Sequence, residues 1–281
     1  MNCKGGCGAR WWRARRCIPP SRDAGRLTTS LSTRALRLAR MALHIAQGLA
    51  TMAFVFPRVN QARRNRLIRA WDAKVLKIFA LRMSVDMPPG FELAHPKRLY
   101  IGNHISWIDV FALQSVTGAR FVAKSELAAW PVLGKLIAMS GTVFIERVKR
   151  ADTRRIVRTI GEHLDGGEVI AVFPEGSTSD GRDVMKFHGN LLQSALDAGA
   201  QIVPFCLRYT DAKGRFTMAA AYVGEMSLWE SLRLMLREKK LHCELTVFAP
   251  LDTAGRDRRR LAHAAETLVR QRLQGHTRQD R

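Results

Sequence analysis

From Leu99 onward the chain alternates short apolar runs rich in Val, Ile and Phe with stretches of helical period. That alternation constrains the fold more than any other feature. A chain built this way buries its apolar runs in a sheet and covers the sheet with the helices between them. The spacing predicts strands near 98–102, 119–123, 142–146, 168–173, 201–208, 217–223 and 242–248. Helices are predicted near 107–117, 127–139, 151–164, 188–198, 227–239 and 257–273. The fold class is therefore α/β, with a central, mostly parallel or mixed sheet flanked by helices. With 281 residues, 47% of them hydrophobic, the chain can build a substantial core.

What precedes the sheet has a different composition. Residues 1–33 are rich in Gly, Arg, Ser, Thr and Cys, without periodicity, and read as a disordered basic arm. "MALHIAQGLATMAFVF", residues 41–56, is uncharged and mostly apolar. Arg34, Arg37 and Arg40 precede it, and Arg58, Arg63 and Arg64 follow. A spanning helix needs roughly 17–25 such residues, so this run suits a short span or a helix lying in the interface. "RNRLIRAWDAKVLKIFALRM", residues 64–83, carries Leu67, Ile68, Trp71, Val75, Ile78 and Phe79 in steps of three and four, with basic residues mostly elsewhere. A basic amphipathic helix of this kind suits the boundary of an anionic bilayer, or equally ordinary packing against the domain. Segment 34–84 is thus expected to form N-terminal membrane-associated helices. Basic residues on both sides of the apolar run favour the cytoplasmic face of the inner membrane.

The formal net charge of +22 fits nucleic acid, anionic lipid head groups or phosphorylated substrates. "GRDRRRLAHAAETLVRQRLQ", residues 255–274, supports the nucleic-acid alternative but equally suits a solvated terminal helix. No nucleic-acid motif occurs, so nucleic acid is not an expected partner. Five cysteines, at positions 3, 7, 17, 206 and 243, form neither a disulfide framework nor zinc-site spacing, and read as free thiols.

Four segments carry chemistry. In "IGNHISWIDV", residues 101–110, a strand delivers His104 to its end, with Asp109 five residues on. Positions i and i+5 of a regular helix diverge by about 140°. The two side chains therefore meet only if His104 stands in the loop before the helix. Ser106-Trp107-Ile108-Asp109 has capping-box spacing, with Asp in place of Glu or Gln. Either the pair caps a helix, or Asp109 holds one imidazole nitrogen while the other takes a proton. "GTVFIERVKR", residues 141–150, ends an apolar strand in Arg147, Lys149 and Arg150. Guanidinium suits phosphate, although a solvated charge run has the same composition. In "VIAVFPEGSTSDGR", residues 169–182, a strand stops at Pro174 and a polar turn follows, with Glu175, Gly176 and Ser177. Gly176 permits positive φ, and the turn's hydroxyl and N–H groups suit an anion. "QIVPFCLRY", residues 201–209, places Pro204 inside a strand, which predicts a bulge, an edge or a special site. Dinucleotide, zincin and serine-hydrolase motifs are absent, and no metal-ligand cluster occurs.

In this order and spacing the four segments resemble the glycerophospholipid acyltransferase family, whose members acylate glycerol 3-phosphate and lysophosphatidic acid. The blocks correspond to Asn103, His104 and Asp109; to Gly141, Phe144, Ile145 and Arg147; to Phe173, Pro174, Glu175, Gly176 and Ser177; and to Ile202, Val203 and Pro204. Lys124, Glu126 and Leu127 match a further Lys-x-Glu-Leu pattern. The resemblance implies a catalytic domain over 85–254, followed by a C-terminal basic helix or tail over 255–281. It implies His104 as general base and Asp109 as its orienting acid. Asn103, Ser106, Lys124, Arg147, Glu175, Gly176 and Ser177 are then expected at the substrate site.

It further implies acyl-CoA or acyl carrier protein as cosubstrate, with no resident cofactor or metal. The expected partners are the bilayer, the donor and a lysophospholipid acceptor; the oligomeric state stays open. The leading acceptor is 1-acyl-sn-glycerol 3-phosphate, giving phosphatidic acid. The family's third block often continues Thr-Arg-Ser, whereas this chain has Ser177-Thr178-Ser179. Relatives that acylate lyso-ornithine lipid carry a similar arginine-free version, so that lipid is the alternative acceptor.

Overall fold

The computed structural model describes residues 28–145 and 150–279. Its strands are β1 (Leu81–Asp86), β2 (Arg98–Gly102), β3 (Arg120–Lys124), β4 (Val143–Ile145), β5 (Val169–Val172), β6 (Gln201–Thr210) and β7 (Leu241–Val247). They form one sheet in the order β1-β7-β6-β2-β5-β3-β4. Strands β2 to β6 are mutually parallel, β7 runs antiparallel to β6, and β1 runs parallel to β7. The helices are α1 (Leu31–Ala50), α2 (Gln61–Ile78), α3 (Ile108–Thr117), α4 (Leu133–Met139), α5 (Arg150–Asp165), α6 (Gln193–Asp197), α7 (Leu228–Arg237) and α8 (Arg258–Gln279).

Each central strand feeds two cores, because successive side chains leave opposite faces of a sheet. Tyr100, Ala171, Val203, Phe205 and Leu207 pack with Val75 and Leu76 of α2, Ile108, Ala112 and Leu113 of α3, and Met235 and Leu236 of α7. Leu99, Ile101, Ile170, Val172 and Ile202 pack with Ile160 and Leu164 of α5, Ala195 of α6, and Leu261, Ala265 and Val269 of α8. All five residues of β2 and all four of β5 are buried, which is why β5 and β2 after Arg98 read as apolar runs without alternation. β2 ends at Gly102, where a Cβ would stand 2.4 Å from the Phe205 carbonyl oxygen. Only glycine lets the chain pass so close to β6 and turn out at the C-terminal edge of the parallel strands.

α1 continues through a π turn at 51–55 and a 3-10 turn at 56–58. The helical stretch Leu31–Arg58 is long and apolar enough to cross a membrane. Its inner side packs on the domain: the His44 ring stacks on Trp71 at 4.5 Å, and Arg37 donates to the Glu238 carbonyl at 2.7 Å. Its other side exposes Leu36, Leu43 and Phe54.

Several expectations change. Residues 28–33 belong to the folded domain, since Thr28 bridges Glu238 and Thr29 Oγ1 donates to the Leu236 carbonyl at 2.6 Å. The rest of the expected basic arm lies outside the described residues. Helical period does not run to Met83: α2 stops at Ile78, Ala80 turns with φ +52°, and Leu81 opens β1. Segment 34–84 therefore includes the start of an edge strand. No strand forms over 217–223; that apolar stretch is a buried loop, with Ala219, Ala220 and Ala221 in the core beside β6. Helix 127–139 is instead a 3-10 turn at 125–129 followed by α4, and helix 188–198 is a 3-10 turn at 189–192 followed by α6. Pro204 makes neither an edge nor a break in β6. Its carbonyl accepts from Phe248 N at 2.9 Å, one step beyond the last registered β6–β7 pair, Phe205–Val247. The N–H that proline lacks would have returned to Phe248, past the end of β7, so the loss falls outside the registered β6–β7 pairs.

Candidate active site

The site lies where β2 and β5 end. His104 stands in the loop before α3, so the geometry that a regular helix forbids is reached. Its Nδ1 lies 2.8 Å from Asp109 Oδ2. The same oxygen accepts the Ile105 N–H at 2.7 Å and the Ser106 N–H at 2.8 Å. The other oxygen, Oδ1, accepts the Tyr209 hydroxyl at 2.6 Å. Asp109 has no exposed surface. The expected Ser106 cap does not form, since α3 has no side-chain cap bond, but the carboxylate that reaches back to the Ser106 N–H also holds the imidazole.

These contacts set the tautomer. A carboxylate is acceptor-only, so Nδ1 carries the hydrogen and Nε2 keeps a lone pair. Among the described residues Nε2 has no hydrogen-bond partner, and the side chain is 20% exposed. The ring lies flat on Phe173, centroids 3.8 Å apart, and Phe173 stacks in turn against Phe121. Burial holds the Tyr209 phenol above its ordinary pKa, with Asp109 adding to the rise, so it stays a donor.

The turn after β5 folds over this loop. The Ser179 N–H donates to the His104 carbonyl at 2.7 Å, the Thr178 hydroxyl donates to the Tyr222 carbonyl, and the Tyr222 N–H donates to the Ile105 carbonyl at 2.9 Å. Glu175 Oε1 accepts the His104 N–H at 3.3 Å, while Oε2 is buried without a partner among the described residues. Burial pushes the Glu175 carboxyl up to about 8, partly offset by the N–H groups of His104 and Met185. Gly176 and Ser177 are exposed at the tip of the turn; Gly176 has φ +77°, and nothing lies within 4 Å of where its Cβ would stand.

The raised carboxyl has a consequence for stability. Between about pH 4.5 and 8 the folded chain holds a proton on Glu175 that the unfolded chain has released. Stability therefore falls as pH rises through that window and levels off above it. Glu175→Gln removes the titration. Its melting temperature, scanned from pH 5.5 to 8.5, is expected to fall less than that of the wild type, by the equivalent of a few kcal/mol at the most, on the order of the shift. Parallel melting curves across that range would overturn the assignment.

Other predicted residues are placed differently. The Asn103 amide is buried: Nδ2 donates to the Leu207 carbonyl at 2.9 Å, and Oδ1 accepts the Leu207 N–H at 2.7 Å. It extends the β2–β6 ladder by one side-chain step. Ser106 is also fully buried, with Oγ 3.4 Å from Ile108 N. Both side chains hold the loop, and neither is exposed in this structure. Lys124 ends β3, and its side chain lies outside the described residues, as does Arg147 altogether. Tyr209 is the site residue that sequence reasoning missed. Its only signal is the alternation of β6, which points Val203, Phe205, Leu207 and Tyr209 to the face that α3 covers. Among the described residues no cluster of His, Cys, Asp and Glu could hold a metal ion.

A family model described as acyltransferase matches residues 92–208, a span that holds His104, Asp109 and Glu175. A lyso-ornithine lipid O-acyltransferase of Pseudomonas aeruginosa is 33% identical over 248 residues, covering 85% of this chain and 93% of the relative. The chain belongs to the acyltransferase family. A 1-acyl-sn-glycerol-3-phosphate acyltransferase of Neisseria gonorrhoeae is 35% identical to this acyltransferase over 209 residues, covering 74% of this chain and 80% of the relative. The crystal structure of the 1-acyl-sn-glycerophosphate acyltransferase PlsC of Thermotoga maritima shares its fold. That likeness has a TM-score of 0.61 at 20% identity and covers 87% of this chain and 98% of the other.

Proposed function

We propose that this acyltransferase moves a fatty acyl group from a thioester donor to the hydroxyl of 1-acyl-sn-glycerol 3-phosphate, giving phosphatidic acid. The observation that carries the proposal is the imidazole of His104, steadied at Nδ1 by Asp109 and left with a free Nε2. Nε2 takes the proton of the acceptor hydroxyl as its oxygen attacks the thioester carbonyl. A C–O bond forms, the C–S bond breaks, and the departing thiolate recovers the proton from the imidazolium. Asp109 and Tyr209 stabilise the imidazolium in between. General-base assistance of this kind contributes about 10²–10⁴ in rate. The thioester is already activated, so no acyl-enzyme is required. The rim at Gly176 and Ser177 supplies polar groups for the acceptor head, and the family resemblance assigns Lys124 and Arg147 to it as cationic groups. The donor is acyl-CoA or acyl carrier protein, and an acidic carrier suits so basic a surface.

The apolar side of α1 supports holding the catalytic domain at the cytoplasmic face of the inner membrane, where acceptor and product are bilayer lipids. A second acceptor is favoured by one observation: Ser177-Thr178-Ser179 lacks the arginine common in this turn, and a relative of similar identity is named for lyso-ornithine lipid. The deciding experiment incubates the purified protein with lysophosphatidic acid or lyso-ornithine lipid and each donor in turn. Labelled phosphatidic acid is expected. Label in ornithine lipid alone would move the acceptor to the second reading, and label in neither would overturn both.

A further inference from the structure

A cavity of about 260 Å³ opens between the start of α2, the end of α3 and the turn before β4. Three arginines line it, Arg64, Arg69 and Arg120, and no Asp or Glu does. We propose that this cavity binds the phosphate of an anionic bilayer lipid, at a site separate from the acyl-transfer centre.

The separation follows from the topology. His104 follows the C-terminal end of β2, whereas Arg120 opens β3 and Gly141 precedes β4, so the cavity lies at the opposite edge of the parallel strands. α3 runs between the two places, from Ile108 beside the Asp109 cluster to the cavity at Gly118. Ten helical residues span about 15 Å, too far for a head group in the cavity to be the one acylated.

The guanidinium groups are held in place with donors to spare. Arg64 Nε donates to the Phe56 carbonyl at 2.9 Å. Arg69 Nε and Nη2 donate to the carbonyls of Ser115 and Val116, at 3.2 and 3.1 Å. Arg120 Nη2 pairs with Glu168 at 2.9 Å. The Arg64 guanidinium also lies over the Phe56 ring at 5.9 Å, and both Nη atoms of Arg64, Nη1 of Arg69, and Nε and Nη1 of Arg120 have no hydrogen-bond partner among the described residues. A guanidinium already oriented by a backbone carbonyl loses little freedom when it grips phosphate oxygens. Arg69 also covers the last carbonyls of α3, so the negative end of that helix does not face the anion bare.

Phosphate alone is recognised this way whether it is free or carried by a lipid. The surroundings favour the lipid. Phe56 in the cavity wall belongs to the end of the apolar stretch Leu31–Arg58, and Phe54 and Val55 just before it are exposed. Acyl chains lying along that apolar surface would bring a phosphate to the arginines. The lipid source therefore rests on the membrane reading of α1 given above.

The test is isothermal titration of the full chain in neutral detergent micelles with dihexanoyl phosphatidylglycerol, which is neither acceptor nor product of the proposed reaction, and with inorganic phosphate and dihexanoyl glycerol. The wild type is expected to bind the phosphatidylglycerol saturably, inorganic phosphate at least tenfold more weakly, and the neutral lipid not at all. Arg64→Gln is expected to weaken that site at least tenfold while retaining acyl transfer on micellar substrate. Arg64→Lys, which keeps the charge without the fork, should fall between. Unchanged phosphatidylglycerol binding in Arg64→Gln would overturn the site, and equal binding of inorganic phosphate would overturn its lipid source. Failure of the membrane reading would appear separately, as wild-type protein that does not sediment with neutral vesicles.

Discussion

His104→Ala is expected to lower kcat for acyl transfer by about 10²–10⁴, with the fold and vesicle sedimentation retained. The loop does not depend on the imidazole for its shape. The His104 N–H goes to Glu175, its carbonyl receives the Ser179 N–H, and Asp109 keeps the Ile105, Ser106 and Tyr209 donors. What alanine removes is a partly exposed ring stacked on Phe173, a contact worth about 1 kcal/mol. The melting temperature should therefore drop by only a few degrees, while the proton acceptor is gone. Rates measured under single turnover, with saturating acceptor and donor, separate the chemical step from lipid binding. A well-folded alanine variant turning over within threefold of wild type would remove His104 from the mechanism.

Much of this was legible in the sequence, and the reasons differ from element to element. Strands β2, β5 and β6 showed themselves because both faces are buried and nearly every residue is apolar. β1 did not. As an edge strand with Arg82, Ser84 and Asp86 between its apolar residues, it continues the helical spacing of α2 without a glycine or proline to mark the break at Ala80. The stretch 217–223 misled in the other direction, since a loop buried against the sheet needs the same small apolar residues as a strand. In the site, the His104–Asp109 spacing was informative because it fails on a helix and works across a loop–helix junction. The partners that complete the acid were not legible. Tyr209 arrives from 100 residues away, and Asn103, which has an active-site look in sequence, serves the backbone of β6. Polar residues near a catalytic pair divide into those that meet the ligand and those that replace missing backbone bonds, and only burial tells them apart.

Asp109→Asn should be nearly as damaging as loss of the imidazole, and it also disturbs the fold. The carboxylate accepts four hydrogen bonds, three of them at Oδ2. An amide offers one acceptor oxygen and a pair of donors. If its oxygen takes the Oδ2 place, the amide nitrogen faces Tyr209 and the charge that would stabilise an imidazolium is lost. If its nitrogen takes that place, the buried N–H groups of Ile105 and Ser106 lose their acceptor, at about 1–3 kcal/mol each. His104 would then have to accept at Nδ1, moving the proton onto Nε2, where the base is needed. Either orientation impairs the same atom, and the analogous change in other acid–imidazole pairs lowers kcat by up to about 10⁴. The expected result is a comparable loss in kcat, together with a lower melting temperature. The stronger check is the double variant. If Asp109 works only through the imidazole, His104→Ala with Asp109→Asn is no slower than His104→Ala alone, because groups acting as one unit do not contribute additively. Losses that multiply would assign Asp109 a catalytic effect independent of His104, and the arrangement at the end of β2 would no longer explain the rate.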